Sequence, residues 1–208
     1  MGDTSNLYPY IFKSQVTALN IAPNCEAADV IKEYSERNTS TPYIETLVDD
    51  QLIVFIPFTT SVKLKSILLG TDNGDLRPSA VKIYTNDAHC PDFDQLESAD
   101  CLQDMSLQST QEQHDDVFSG DTLCKEYPLR VARFTNVVSA TLFFPSSVGS
   151  VQSRLYYVGF KGETLTPHKE NDDRMQIAAS NVGDTPIQHL KQQAGGNVAS
   201  TSASNYAA

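Results

Sequence analysis

Residues 51–85, which read QLIVFIPFTTSVKLKSILLGTDNGDLRPSAVKIYT, decide the fold of this chain. Residues 52–56, LIVFI, are apolar at consecutive positions, which is typical of a strand buried on both faces. Residues 62–65, VKLK, alternate between apolar and charged side chains, so we expect one buried and one solvated face. Residues 81–85, VKIYT, predict a further strand. The stretch therefore indicates a β-rich core and, by itself, no catalytic chemistry.

The turn inside this stretch, Asp72, Asn73, Gly74 and Asp75, supplies the candidate site residues. Asn and Gly tolerate a positive φ at little cost, so the tetrapeptide predicts a tight turn. Its carboxylates could also hold calcium, but the alternating Asp residues and the distant Glu of an EF-hand are missing, and a turn needs no metal. We take Asp72, Asn73 and Gly74 as a candidate contact with a partner, and we predict neither a metal nor a cofactor.

Strand patterns return in the second half of the chain. Val138, Ala140, Leu142 and Phe144 repeat with period two and predict a strand with one buried face. Residues 154–160 predict another strand, which we expect Gly162 to end.

The first half of the chain is more mixed. Pro9 biases Tyr8 away from helical backbone, so residues 7–11 should begin extended. The shorter segments predict a turn or strand at 14–20, a helix at 27–34, a loop at 38–42, an edge strand at 43–48, a helical turn at 93–97 and a strand at 129–134. Several strands with long connections favour an all-β fold, an antiparallel β-sandwich of the jelly-roll type.

Composition excludes several classes of function. The chain has 208 residues and a formal net charge of −11, so it repels phosphate backbones and anionic lipid surfaces. No apolar run is long enough to cross a bilayer, and the N-terminal residues lack the layout of a signal peptide. We therefore expect a soluble intracellular protein that binds neither nucleic acid nor membranes.

Two segments depart from the globular pattern. Residues 87–121 are rich in Asp and Glu and form either a docking surface for a basic partner or a solvated face. Residues 178–208 are rich in Ala, Ser, Asn, Gln and Gly, and such a segment buries too little apolar area to offset its ordering entropy. The sequence therefore predicts a domain at residues 1–177 and a disordered polar tail at 178–208.

The side chains that could take part in catalysis or metal binding are scattered along the sequence. Nucleophile elbows, Cys-x-x-Cys pairs, zinc-protease helices and phosphate loops are missing from the sequence. The four cysteines are widely spaced, which favours free thiols in an intracellular chain. The histidines and cysteines of the acidic segment, together with the cysteine that follows it, could in principle bind a metal, but they lack the short spacing of structural zinc sites. These residues are His89, Cys90, Cys101, His114 and Cys124. The tyrosines that either line a ligand groove or pack in the core and its rim are Tyr8, Tyr10, Tyr156 and Tyr157.

An ordered set of short stretches resembles the PITH domain, the C-terminal module of thioredoxin-like proteins that associate with the proteasome. The set begins with LYPYI at residues 7–11 and ends with RLxY at 154–157, where x is an unmatched position. The intervening stretches are QV at 15–16, DQLI at 50–53, VKL at 62–64, GxDNG at 70–74, Pro78, VKIY at 81–84, DFD at 92–94, PLR at 128–130, FxNV at 134–137 and TLF at 141–143. No single stretch is specific, but their order and spacing hold over residues 5–177.

The resemblance implies a fold similar to galactose-binding jelly rolls and a non-catalytic interaction module, without cofactor. Redox activity is not implied, because it belongs to a thioredoxin domain whose Cys-x-x-Cys site this sequence lacks. The implied partner is a protein, with the regulatory particle of the 26S proteasome as the default, for a monomer in cytoplasm and nucleus. The alternatives are a small-ligand or carbohydrate-binding domain and, third, an enzyme built on His89 or His114 with nearby Asp residues.

Overall fold

The computed structural model describes residues 5–107 and 122–165, and within them the chain is built from antiparallel strands. The strands are β1 (Thr17–Leu19), β2 (Ile44–Glu45), β3 (Leu52–Asp72), β4 (Ala80–Thr85), β5 (Gln103–Ser106), β6 (Thr122–Pro128), β7 (Val137–Phe144) and β8 (Arg154–Thr164). One α-helix, α1 (Phe93–Ser98), and 3₁₀ turns at Tyr8–Tyr10, Lys13–Gln15, Ala27–Val30, Tyr34–Glu36 and Val131–Arg133 complete these ranges.

The eight strands form one continuous hydrogen-bonded sheet, and the long strand β3 takes part in both sheets, or layers, of the sandwich. Its first half pairs with β1 and β7, and β7 continues through β4 to β5. Its second half pairs with β6 and β8, and β8 pairs with β2. The register breaks between Pro57 and Val62, where the strand passes from one sheet to the other. The prediction of an all-β, antiparallel jelly-roll sandwich is confirmed.

Burial on both faces of β3 explains its unbroken apolar run. Leu52, Val54 and Ile56 point into the main core between the sheets, and all three are fully buried. Ile53 lies on the other face, in a second cluster with Tyr84, Leu96 and Phe143. That cluster is covered by α1, whose predicted position is confirmed.

Helix α1 begins with a capping box that its sequence encodes. The side chain of Asp92 accepts a hydrogen bond from the backbone N–H of Gln95 (2.9 Å), and the Gln95 side chain accepts one from the N–H of Asp92 (3.3 Å). Phe93 packs edge-on against Phe143, with ring centroids 6.1 Å apart. Helix α1 covers Phe143, and Asp87 accepts hydrogen bonds from Ser139 and Thr141 on the same face. Strand β7 is therefore buried on both sides over most of its length, and the prediction of a half-buried β7 is wrong.

Several predictions for the N-terminal segments are also wrong. Tyr8 does not begin extended: it opens a 3₁₀ turn, where the missing N–H of Pro9 costs nothing. The expected helix at residues 27–34 is replaced by two separate 3₁₀ turns, Ala27–Val30 and Tyr34–Glu36. Only Ile44–Glu45 of the expected edge strand at 43–48 forms ladder bonds.

Later in the chain, β6 precedes the expected strand at residues 129–134, which instead forms a loop and a 3₁₀ turn. Strand β5 was not predicted, because its sequence, QDMS, contains no apolar alternation. Gly162 does not end β8: it lies within the strand, opposite Leu64, next to a register shift.

The predicted acidic segment, domain boundary and polar tail lie partly or wholly outside the described residues. The segment 108–121 and the residues after 165, including the boundary at 177 and the expected tail at 178–208, are not described by the structure. Among the residues that are described, no helix has the length and apolar character needed to cross a membrane.

Candidate functional site

The predicted site residues Asp72, Asn73 and Gly74 lie where β3 ends and the chain turns towards β4. Asp72 Oδ1 accepts a hydrogen bond from the Gly74 N–H (3.0 Å), and the Gly74 carbonyl accepts one from the Arg77 N–H (3.2 Å). The turn is present as predicted, but neither Asn73 nor Gly74 has a positive φ. The side chain of Asp72, rather than left-handed backbone, closes this turn.

A Ser-rich loop, residues 145–153, packs directly against this turn. Val148 N donates to the Arg77 carbonyl (2.9 Å), and Gly149 N donates to the Asp75 carbonyl (3.1 Å). A Cβ added to Gly149 would lie 2.9 Å from Oδ1 of Asp75, so the Asp75 side chain rests on this glycine. The two loops therefore form one continuous surface.

A third loop, residues 45–51, is joined to the same surface by buried polar side chains. Thr46 N donates to the Ser153 carbonyl (3.0 Å), and Ser153 N donates to Thr46 Oγ1 (2.9 Å). Asp50 accepts from Ser147 N through Oδ2 (2.7 Å) and from Ser153 Oγ through its carbonyl (2.7 Å). Because Thr46 and Ser153 have no exposed surface, the bonds between these two residues are shielded from water, and together with the Asp50 bonds they join the loops.

Asn20 fixes the outer edge of the third loop. Its φ of 66° is in the left-handed region, which Asn tolerates better than most residues. The side-chain amide donates to Asp49 Oδ1 (2.7 Å) and to the Gln51 carbonyl (2.7 Å), and its oxygen accepts from Val48 N (3.1 Å). The backbone carbonyl of Asn20 accepts from Leu47 N (3.0 Å). One residue thus determines the path of the loop that follows β2.

The side chains between these anchors are aliphatic and exposed. Val48 is 81% exposed and Val151 79%, and Leu47 and Val148 are 52% and 50% exposed. Polar residues are thus buried and apolar residues exposed, the reverse of the usual arrangement. We call the three loops, residues 45–51, 72–79 and 145–153, the loop-end surface. Sequence reasoning missed these four side chains; the available signal was aliphatic residues inside Ser- and Asp-rich loops.

Other exposed large apolar side chains lie at the opposite end of the sandwich. They are less exposed, between 39% and 48%. Residues 10–12 and 165 hydrogen-bond to residues 57–61 where β3 changes sheets, and Val138 lies beside Asn136, which bonds Ser61. The side chains are Tyr10, Phe12, Val138 and Leu165. This second group provides an internal comparison for the loop-end surface.

The four tyrosines that were candidates for a ligand groove lie apart from one another in the structure. Tyr156 and Tyr157 are buried in β8, which favours the packing interpretation for both. Tyr10 is exposed at the opposite end, whereas Tyr8 lines a cavity of about 260 Å³. The structure does not bring the four into one groove.

The cavity beside Tyr8 contains a buried lysine. Burial lowers the pKa of Lys32, against the opposing effect of the carboxylates of Glu36 and Asp29. The ammonium donates to the Pro42 carbonyl (2.6 Å) and, at longer range, to the carbonyl and hydroxyl of Thr39. These bonds hold the loop at residues 39–42, so Lys32 has a structural role.

The histidines and cysteines considered as metal ligands do not come together within the described residues. His89 is exposed, and His114 lies outside the described residues. No group of three or more His, Cys, Asp or Glu side chains with metal-binding geometry occurs within residues 5–107 and 122–165. The four cysteines are free thiols, as predicted. Burial raises the pKa of Cys124 to about 12 and also raises that of Cys90.

Comparison with known proteins places the chain in a family. A β-sandwich that exposes aliphatic side chains on the loops at one end has the features of a binding or interaction module. The model of the PITH domain matches residues 1–181. The chain belongs to the PITH domain family, as its resemblance predicted.

Curated relatives agree with this assignment. The chain is 31% identical over 168 residues to PITH domain-containing protein CG6153 of Drosophila melanogaster, covering 81% of this chain and 74% of the relative. It is 27% identical over 191 residues to PITH domain-containing protein 1 of Xenopus laevis, covering 90% and 84%. The human PITH domain-containing protein 1 is 28% identical over 160 residues, covering 76% and 69%.

Solved structures are more distantly similar. A family 32 carbohydrate-binding module from C. perfringens NanJ, in complex with galactose, aligns with a TM-score of 0.49 and 10% identity. The alignment covers 75% of this chain and 97% of the module. A fucolectin from striped bass, Morone saxatilis, aligns with a TM-score of 0.49 and 11% identity, covering 77% and 49%.

Proposed function

We propose that this chain is a non-catalytic protein-interaction module that associates with the regulatory particle of the proteasome, or a related regulatory complex, through its loop-end surface. One observation carries the choice of surface: Val48 and Val151 are largely exposed beside the fully buried Thr46 and Ser153. Exposed apolar side chains on adjoining loops are typical of interaction sites.

The energetics favour binding through these loops. Complete burial of an aliphatic side chain contributes about 1.5–3 kcal/mol, so a few such residues can dominate an interface. Because hydrogen bonds to Asn20, Asp50 and Thr46 already order the loops, association loses little loop entropy. A preorganised apolar surface is suited to a protein partner.

The carbohydrate alternative has less support at this surface. A sugar site needs an aromatic platform beside convergent polar groups. The loops at residues 45–51, 72–79 and 145–153 contain no aromatic residue. A small polar ligand would leave the exposed valines in water.

The identity of the partner is supported by the family resemblance, in which the thioredoxin-fused members associate with the proteasome. We propose the same class of partner here, for a monomer present in cytoplasm and nucleus. The acidic composition, with a net charge of −11, favours protein partners over nucleic acid and membranes.

Affinity capture with matched variants tests the proposal. The tagged full-length chain is incubated with lysate of its host, and the regulatory-particle subunits are quantified by mass spectrometry. The variant Val48→Ser/Val151→Ser removes apolar surface without adding charge. The control, Val138→Ser/Leu165→Ser, makes the same kind of change at the opposite end.

We expect the wild type and the control to enrich the same subunits, and the loop-end variant to lose about ten-fold or more. Equal enrichment by all three forms would show that the partner binds elsewhere. Failure of the wild type to enrich any regulatory-particle subunit would reject the proteasome as the partner.

A further inference from the structure

We infer that the loop-end surface recognises a protein segment whose aliphatic side chains are flanked by lysine or arginine. This inference rests on the proposed function and specifies the chemistry of the partner. It follows from the carboxylates that lie on the same loops as Leu47, Val48, Val148 and Val151.

The carboxylates are held in place by the loops themselves. Asp49 Oδ1 accepts from the Asn20 amide (2.7 Å) and from Gln51 N (3.1 Å). Asp50 Oδ2 accepts from Ser147 N (2.7 Å). These bonds orient each carboxylate through one of its two oxygens.

The neighbouring turn adds two further carboxylates. Asp72 uses Oδ1 for the Gly74 N–H (3.0 Å). Asp75 is exposed and rests on Gly149, next to Val148. Asp49, Asp50, Asp72 and Asp75 form no ion pair with another residue in the described ranges. Four carboxylates without an ion-pair partner in the described ranges therefore lie on the same loops as the exposed aliphatic side chains.

Positive charge in the same loops is limited. Five carboxylates and one arginine, Arg77, occur in residues 45–51, 72–79 and 145–153. Arg77 Nη1 makes a long bond to the Asn73 carbonyl (3.5 Å), and its Nε is buried. The fifth carboxylate, Glu45, is already paired with Arg154 (2.7 Å from Nε to Oε2). The three loops therefore carry a net negative charge.

Charge complementarity then selects the partner. An aliphatic segment alone would gain from burial, but an acidic segment would be repelled by the bordering carboxylates. A segment with Lys or Arg beside its aliphatic residues satisfies both features. Since these charges lie at the rim, they should affect the association rate and salt dependence, whereas the valines should provide most of the affinity.

Selection from a phage-displayed library of random peptides tests the inference. The full-length chain is the bait, and Val48→Ser/Val151→Ser serves to identify clones that depend on the surface. One surface-dependent peptide is then synthesised and titrated by fluorescence anisotropy at low and high salt. The titration includes Asp49→Asn/Asp75→Asn, which removes two charges while keeping an acceptor oxygen at each position.

We expect the surface-dependent peptides to combine aliphatic residues with Lys or Arg. Binding should weaken by about three- to ten-fold in Asp49→Asn/Asp75→Asn and with rising salt. Surface-dependent peptides without basic enrichment and without salt dependence would overturn the inference but leave the proposed binding surface intact. A selection that yields no surface-dependent peptide would count against both.

Discussion

At the scale of single residues, two asparagines hold the ends of the sandwich. Asn20 and Asn86 have φ angles of 66° and 68°, the positive values among the described non-glycine residues. Asn20 organises the loop after β2, whereas the Asn86 side chain donates to the Asn136 carbonyl and accepts from Val138 N. Each joins segments distant in sequence, so neither role was visible from local pattern.

The amide donors of Asn20 give the first prediction. Asn20→Asp keeps an oxygen acceptor but removes the bonds donated to Asp49 and Gln51, and it places two carboxylates together. We expect a loss of about 1–3 kcal/mol in the free energy of unfolding, measured by urea denaturation. Asn20→Gly removes the same donors and also the acceptor for Val48 N but adds no charge, so a larger loss in Asn20→Asp measures the repulsion between the two carboxylates. A change in Asn20→Asp of under about 0.5 kcal/mol would contradict this role.

The second residue-scale prediction concerns Cys124. Burial, assisted by Glu126, raises its pKa to about 12, although Arg37 and Lys161 oppose the shift. Near pH 8 only about one thiol in 10⁴ is then ionised, and the thiolate is the reactive form. Iodoacetamide labelling followed by peptide mass spectrometry should leave Cys124 unmodified in the folded chain and modified in concentrated guanidinium chloride. Rapid labelling of native Cys124 would disprove its shielding.

At the scale of elements, the approach of β8 to β3 requires a glycine at one position. A Cβ on Gly162 would lie 2.0 Å from the Lys63 carbonyl oxygen, and backbone cannot move aside as a side-chain end can. At Gly74 the nearest atom to an added Cβ is Oδ1 of Asp72, at 3.6 Å, and φ is not positive. An alanine substitution at Gly74 is therefore a suitable control for the same substitution at Gly162.

We predict that Gly162→Ala destabilises the protein by about 3 kcal/mol or more, because β8 must separate from β3. Gly74→Ala should change stability by less than about 0.5 kcal/mol. Chemical denaturation of both variants measures the difference. Equal effects would mean that the register at Gly162 adjusts without strain.

The elements also show what the sequence could predict. The apolar residues 52–56 and the alternation at 62–65 indicated β3, since burial alone determines those patterns. Strand β5 has no such pattern, and its position depends on pairing with β4. The period-two pattern of β7 was found, but burial of Phe143 depends on α1, which lies some 45 residues earlier in the chain.

At the scale of the whole molecule, β3 brings the loop-end surface together. It leaves that end at Leu52 in one sheet and returns to it at Asp72 in the other. Asp72, Asn73 and Gly74 could be selected from their turn chemistry. Their neighbours could not, since Thr46 and Ser153 meet across 107 positions of sequence. The exposure of Val48 and Val151 follows from that tertiary contact.

The central claim is that a protein partner covers the loop-end surface. Hydrogen–deuterium exchange of the full-length chain, free and bound to purified proteasome regulatory particle, tests it most directly. We predict slower amide exchange in residues 45–51, 72–79 and 145–153 on binding, with no change in residues 10–12 and 134–138. Protection confined to the opposite end, or none anywhere when the regulatory particle is in excess, would contradict the claim.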